Sequence, residues 1–135
     1  MRDDDPRWIL VVEDEKDIAR MLKLRLESYG FSVRTASNGK EALRYAAEKE
    51  PDLVILDVKL PDMSGYLVCR ELRKRYGHWT PPILMLTAMD QPIDQLRGFA
   101  YGTDVYLTKP FDTGELMKTV GLLLHTEAIE SPHLS

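Results

Sequence analysis

The sequence predicts an α/β domain: a doubly wound parallel sheet covered by helices on both faces. Five short apolar runs, Trp8–Val12, Ser32–Ala36, Leu53–Leu56, Ile83–Leu86 and Val105–Leu107, recur along the 135 residues. Most are too continuous in hydrophobicity to be strands with one face in water, which alternate apolar and polar residues. Between the runs lie segments whose apolar residues fall at three-to-four spacing, the period of an amphipathic helix. Strand and helix thus alternate five times, and right-handed crossovers between parallel strands place the helices over both faces, giving three layers.

The first strand, Trp8–Val12, runs into Glu13-Asp14-Glu15. The helix that follows carries Ile18, Met21, Leu22, Leu26 and Tyr29 on one face, and Gly30 marks its stop. A second helix opens at Asn38 with Glu41 three residues on, a capping-box pattern, and is expected to bury Leu43 and Ala46 or Ala47. The third strand ends at Asp57. The third helix opens at Ser64 and carries Val68, Leu72 and Tyr76 before Gly77. The fourth strand ends at Thr87, and its helix spans about Gln91 to Tyr101, with Leu96 and Phe99 expected to face inward and Gly102 as the stop. The fifth strand leads into Thr108-Lys109-Pro110. The last helix opens with the pair Asp112 and Glu115 and presents Leu116, Val120, Leu123 and Leu124. Only residues 1–6 and about 129–135 read as loose ends, so residues 1–135 are expected to form one domain with its core over about 8–127.

Composition narrows the function classes. With 44% apolar and 30% charged residues the chain resembles a soluble globular protein, and no run approaches the roughly 18 apolar residues of a membrane span. The acidic start Arg2-Asp3-Asp4-Asp5 is unlike a secretory signal, which predicts a cytoplasmic location. A formal net charge of −4 offers no footprint for nucleic acid. Cys69 has no partner for an internal disulfide and sits beside Val68 in a helical pattern, as a small core residue does. Arg70, Arg73, Lys74 and Arg75 form the one basic cluster, expected to be a solvated helix face. His78, His125 and His133 lie too far apart for a zinc pattern and read as surface residues.

In open parallel sheets the working groups gather beyond the carboxyl ends of the strands. Here the first strand delivers Glu13, Asp14 and Glu15, the third Asp57, the fourth Thr87 and the fifth Lys109. Any one of these alone could be a helix-dipole acid, a turn residue or a surface lysine. Together, each after its own strand, they form a set that calls for a joint explanation. Two unit negative charges about 5 Å apart, at an effective dielectric of about 20, cost roughly 3 kcal/mol, so a cation must compensate. Hard carboxylate oxygens suit Mg²⁺, which binds through one or two carboxylates plus phosphate oxygens. Lys109 adds a second cation able to hold a phosphate oxygen as a point charge. An edge of this composition suits phosphoryl transfer, where positioning and charge neutralisation supply most of the rate.

Three stretches, Ile9–Glu15, Pro51–Gly65 and Gly102–Phe111, resemble the receiver domain of bacterial two-component response regulators, and the likeness covers residues 8–127. The resemblance implies a flavodoxin-like (βα)5 fold with strand order 2-1-3-4-5. It implies that Asp57 is the phosphoacceptor and that Glu13, Asp14, Asp57 and the backbone carbonyl of Lys59 hold the Mg²⁺. Lys109 would contact the phosphoryl group, and Lys109-Pro110 would be a cis peptide. Thr87 and Tyr106 would be a switch pair: the Thr87 hydroxyl moves to a phosphoryl oxygen and the Tyr106 ring turns inward, reshaping the surface of the fourth helix, fifth strand and fifth helix. The donor would be a sensor histidine kinase or a histidine phosphotransfer protein, and the output would be binding to a protein target. The chain would catalyse only its own phosphorylation and dephosphorylation, and it would neither bind nucleic acid directly nor insert into a membrane.

Some positions depart from the family pattern. The first acidic residue is Glu13 rather than the commoner Asp. Winged-helix regulators carry a basic residue well into the fifth helix that pairs with the fourth helix and fifth strand of a mate; here that region reads Lys118-Thr119-Val120-Gly121-Leu122-Leu123-Leu124, so pairing of that style is not expected. The two positions that tune dephosphorylation hold Lys59 and Met89, neither suited to orient an attacking water, so rapid self-hydrolysis is not expected. Two rival readings remain. One is a receiver-like docking module that is never phosphorylated. The other is a haloacid-dehalogenase-type Mg²⁺-dependent aspartyl phosphatase, whose nucleophilic Asp would follow the first strand and carry a second Asp two residues on; Asp57 does neither.

Overall fold

The computed structural model describes residues 6–89 and 91–126. Five strands, β1 (Trp8–Val12), β2 (Ser32–Ala36), β3 (Leu53–Leu56), β4 (Ile83–Thr87) and β5 (Val105–Thr108), alternate with five helices. These are α1 (Lys16–Glu27), α2 (Gly39–Glu48), α3 (Gly65–Tyr76), α4 (Pro92–Ala100) and α5 (Thr113–Leu124). All pairings are parallel, in the order β2-β1-β3-β4-β5. The expected doubly wound sheet and its strand order are therefore found. The order reverses beside β1, so the carboxyl ends of β1 and β3 flank the crevice where such sheets bind ligands.

Because successive strand side chains point to opposite faces, the apolar runs split into two cores. Leu10, Val12, Val54, Leu56, Ile83 and Met85 pack with Ala42, Ala46, Val68, Cys69 and Leu72 of α2 and α3. Ile9, Val11, Ile55, Leu84 and Leu86 pack with Leu22 and Leu26 of α1 and with Leu116, Val120 and Leu124 of α5. β2 lies at the sheet edge, and its exposed Ser32 and Arg34 alternate with buried Val33 and Ala36. Helix starts follow their caps: the Asn38 side chain accepts from Glu41 N (2.8 Å), Ser64 Oγ from Tyr66 N (3.1 Å) and Asp112 Oδ1 from Glu115 N (3.0 Å). The Glu41 carboxylate reaches back to Ser37 N rather than to Asn38, one residue beyond a standard capping box.

Three packing expectations are corrected. In α2 it is Ala42 and Ala46 that are buried; Leu43 is only partly covered, and Ala47 is exposed. In α4, Leu96 is 65% and Phe99 47% exposed, while the inward face consists of Asp94 and Gly98. The reason is the neighbour: Gly98 lies against the Tyr106 ring, and a Cβ there would stand 3.0 Å from it, so α4 approaches through its smallest residue. Arg73 does not belong to a solvated face. It is buried, with Nη1 donating to Pro81 O (2.7 Å) and Nε and Nη2 to Gly102 O (3.0 and 2.8 Å), and Nη2 is paired with Asp104 Oδ2 (2.9 Å). Arg70, Lys74 and Arg75 are exposed as expected, as are His78 and His125, while His133 lies outside the described residues. Cys69 is buried, with its thiol near Tyr101 O, and burial raises its pKa.

Candidate phosphoryl-transfer site

The sheet ladder itself delivers the site residues. It continues one residue past the strands: Glu13 N donates to Ala36 O (3.0 Å), Asp57 N to Val12 O (3.0 Å) and Lys109 N to Thr87 O (2.7 Å). Backbone hydrogen bonds thus hold Glu13, Asp57 and Lys109 at neighbouring strand ends, and no side-chain contact has to be invoked to bring them together.

Asp57 is 6% exposed, with Oδ1 accepting from Lys59 N (3.1 Å) and Oδ2 from Lys109 Nζ (2.9 Å). The loop behind it closes tightly: Lys59 and Ser64 form an antiparallel bridge, and Gly65 N donates to Val58 O (2.7 Å). A Cβ at Gly65 would lie 2.1 Å from the Asp57 carbonyl oxygen, so α3 can start here only with glycine. Asp62 in the same loop accepts from Gly39 N (2.8 Å) and Lys40 N (2.9 Å), fastening the loop to the start of α2. Its slight burial acts to raise its pKa, but these amides outweigh that and hold it below the ordinary aspartate value.

Lys109 Nζ meets three carboxylates: Glu13 Oε1 at 2.9 Å, Glu15 Oε1 at 2.8 Å and Asp57 Oδ2 at 2.9 Å. Burial alone would lower its pKa, but the bonds to these partners outweigh that and keep it above the ordinary lysine value. Glu13, 4% exposed, is pushed the other way: burial raises its pKa, although Lys109 and the Glu15 amide pull it down. One carboxylate oxygen each of Glu13, Asp14 and Asp57 lies within 4.8 Å of the others. Against the single ammonium of Lys109, the four acidic side chains of this edge leave an excess of three formal negative charges. A set of hard oxygen donors with uncompensated charge fits a divalent cation such as Mg²⁺.

Thr87 is fully buried at the end of β4, and its Oγ1 accepts from Met89 N (3.4 Å). Tyr106 is 8% exposed, its ring turned inward against Gly98, and its hydroxyl donates to Met89 O (2.7 Å). Burial, followed by the neighbouring Tyr66 hydroxyl, raises the Tyr106 pKa well above the usual phenol value. The inward ring, which the resemblance associates with the phosphorylated chain, is the conformation found here. Lys109-Pro110 is cis, and Thr80-Pro81 is a second cis bond that the sequence did not announce. Lys59 itself is exposed, and its amide rather than its ammonium contacts Asp57.

The structure therefore brings Glu13, Asp14, Asp57 and Lys109 together at one edge, with Thr87 at the end of the adjoining strand. The response regulator receiver domain family matches residues 9–121. The chain belongs to this family. The alkaline phosphatase synthesis transcriptional regulatory protein PhoP of Bacillus subtilis is 44% identical over 124 residues, which cover 92% of this chain and 51% of that protein. The chain thus spans about half the length of this curated relative. Among solved structures, a putative response regulator from Chloroflexus aurantiacus aligns with TM-score 0.82 and 40% identity over 90% of this chain and 99% of that one. The chemotaxis protein CheY4 of Vibrio cholerae aligns with TM-score 0.83 and 34% identity over 89% and 100%. These matches make the receiver reading that of a two-component response regulator and lend no support to the phosphatase or the constitutive docking module. No helix among the described residues is long and apolar enough to cross a membrane.

Four residues of the receiver site escaped the sequence reading as individuals. Glu15 was counted among the acids of this edge but given no role of its own, yet it bonds Lys109. Gly65 and Asp62 lie in the quoted loop stretch, but their roles depend on backbone atoms of Asp57 and α2 that no spacing rule connects. Gly98 could have been suspected only from a glycine standing within a helical pattern.

Proposed function

We propose that the chain accepts one phosphoryl group on Asp57 from a histidine kinase or a histidine phosphotransfer protein and passes the signal on through binding to a protein target. The observation that carries the reading is the placement of the Asp57 carboxylate, buried yet bonded to Lys109 on one oxygen and to the Lys59 amide on the other, beside the acidic pair Glu13 and Asp14. Glu13, Asp14, Asp57 and the Lys59 carbonyl would hold a Mg²⁺, which when bound supplies charge neutralisation for a phosphoryl group. The chain's own residues do the rest. The ladder orients Asp57 as nucleophile, Lys109 takes up charge on a phosphoryl oxygen, and the Thr87 hydroxyl lies within the buried wall from which it can turn to the same group.

The switch reading follows from Thr87 and Tyr106 sharing Met89: one accepts its amide, the other donates to its carbonyl. Movement of Thr87 toward a phosphoryl oxygen would disturb both bonds and bias the ring and α4 together, a shift between two packings. We assign residues 1–135 to a single receiver unit acting in the cytoplasm, with no direct contact to nucleic acid and no enzymatic role beyond its own phosphorylation and dephosphorylation. The test is intact mass after incubation with Mg²⁺ and acetyl phosphate. The reading predicts one added phosphoryl group, abolished by chelation and by Asp57→Asn; absence of any adduct on folded protein would return the chain to a docking role.

A further inference from the structure

We propose that Tyr66 is a positioning residue of the switch: it anchors α4 at the distance from β5 that fits the inward Tyr106 ring, and so biases the chain toward the packing that takes the phosphoryl group. The inference rests on the reading of Thr87 and Tyr106 as a switch pair and extends it to a residue of α3 outside that pair.

The only residues that α4 buries are Asp94 and Gly98, so no apolar side chain of the helix fastens it to the sheet. Tyr66 supplies the fastening from the other side. Its hydroxyl donates to Asp94 O (3.1 Å) in the first turn of α4, and its ring stacks on Tyr101 at the far end, with centroids 5.3 Å apart and planes inclined by 19°. Tyr66 is itself firmly placed, buried in the core with Val68 and Leu72 and directly following Gly65, which packs on the Asp57 carbonyl. Held at both ends, α4 presents Gly98, one turn after Asp94, to the Tyr106 ring with little slack: a Cβ at Gly98 would stand 3.0 Å from Tyr106 Cδ2. The two phenols also grip one stretch of chain, Tyr106 at Met89 O (2.7 Å) and Tyr66 at Asp94 O, and the Tyr66 hydroxyl is a near neighbour of the Tyr106 hydroxyl. If the Tyr106 ring turns outward, the space beneath Gly98 empties. The cost of such a void depends on how far its walls can collapse into it, and an α4 pinned by Tyr66 cannot settle. The anchor therefore penalises the outward packing, and a ligand that binds the inward packing gains in affinity by the same amount.

The full chain is titrated with beryllofluoride, a non-covalent phosphoryl mimic, in the presence of Mg²⁺ and followed by calorimetry. Tyr66→Phe removes the hydroxyl and keeps the ring, and it is expected to weaken the mimic by about two- to tenfold, the worth of one buried hydrogen bond. In a Tyr106→Ala background the ring is absent from both packings, so adding Tyr66→Phe is expected to leave the affinity unchanged. Melting of the unliganded variants reports the purely structural effect of the lost bond, which would lower the transition without weakening the mimic. Tight binding by wild type with an equal or higher affinity in Tyr66→Phe overturns the inference while leaving the acceptor reading intact. An equal loss in the Tyr106→Ala background also overturns it, since Tyr66 would then act without the ring. Failure of wild type to bind the mimic or to take up a phosphoryl group from acetyl phosphate overturns both.

Discussion

Replacing Arg73 with alanine separates the basic cluster as a sequence pattern from the basic cluster as a structure. On a solvated helix face the change would cost within about 0.5 kcal/mol. In the fold, Arg73 is 8% exposed and its guanidinium joins three segments: the end of α3, Pro81 before β4, and Gly102 with Asp104 before β5. Gly102 has φ of +107°, and a Cβ there would stand 2.8 Å from Arg73 Cγ, so the side chain lies flat on a turn that only glycine forms without strain. Truncation leaves the Pro81 and Gly102 carbonyls without this donor and Asp104 without its ion partner. Breaking a buried ion pair by removing one member costs about 3–5 kcal/mol. Asp104 keeps the Ile83 amide (2.7 Å) and its side chain is one-third exposed, which favours the lower end, about 3 kcal/mol. With an unfolding entropy of roughly 0.25 kcal/mol/K for a domain of this size, the melting temperature falls by about 12 °C. Urea denaturation followed by circular dichroism measures it, with Arg70→Ala and Lys74→Ala as exposed controls expected to change stability by no more than about 0.5 kcal/mol. A loss below about 1 kcal/mol for Arg73→Ala, at unchanged denaturant slope, would refute the clamp.

Further outcomes follow from the same geometry. Gly65→Ala places a methyl 2.1 Å from the Asp57 carbonyl oxygen, so it should cost about 1–3 kcal/mol by overpacking and slow phosphoryl uptake by shifting Asp57; wild-type melting and uptake together would contradict this. Leu96→Ser and Phe99→Ser, on the exposed face of α4, should change stability by only about 0.5 kcal/mol, whereas Val68→Ala, fully buried, should cost about 1 kcal/mol or more by the same urea measurement. Tyr106 carries a raised pKa, so its neutral form is favoured in the folded chain: the stability it contributes is full below the unfolded phenol pKa and declines as pH rises above about 10. The stability difference between wild type and Tyr106→Phe should therefore narrow from pH 8 to about pH 10.5, and a difference that widens would reverse the assignment.

The sequence announced most of what positions the site, because its signals are short-range. Alternation of apolar runs and helical periods is a local property, and the strand ends follow directly from it, so Glu13, Asp57, Thr87 and Lys109 could be placed on one edge before any contact was known. Strand order came from resemblance, since periodicity carries no information about which strands pair. α4 misled for a physical reason: its most apolar residues, Ile93, Leu96 and Phe99, point to solvent, and the face against β5 is chosen by the bulk of Tyr106, a residue in another element. Arg73 misled likewise, because an arginine surrounded in sequence by arginines and lysine looks solvated until the carbonyls of two distant turns are seen beneath it. The role of Glu15 was hidden by its neighbours, being one acid among three whose differences lie in where the side chains reach.

The receiver chemistry is decided by the residue on which the phosphoryl group comes to rest. After phosphorylation with acetyl phosphate, borohydride reduces an acyl phosphate of aspartate to homoserine, and peptide mass spectrometry locates the changed residue. Homoserine is expected at Asp57 alone, with none in chelated samples. Reduction at Asp14, at another carboxylate, or at no position while the chain still gains the mass of a phosphoryl group would contradict it.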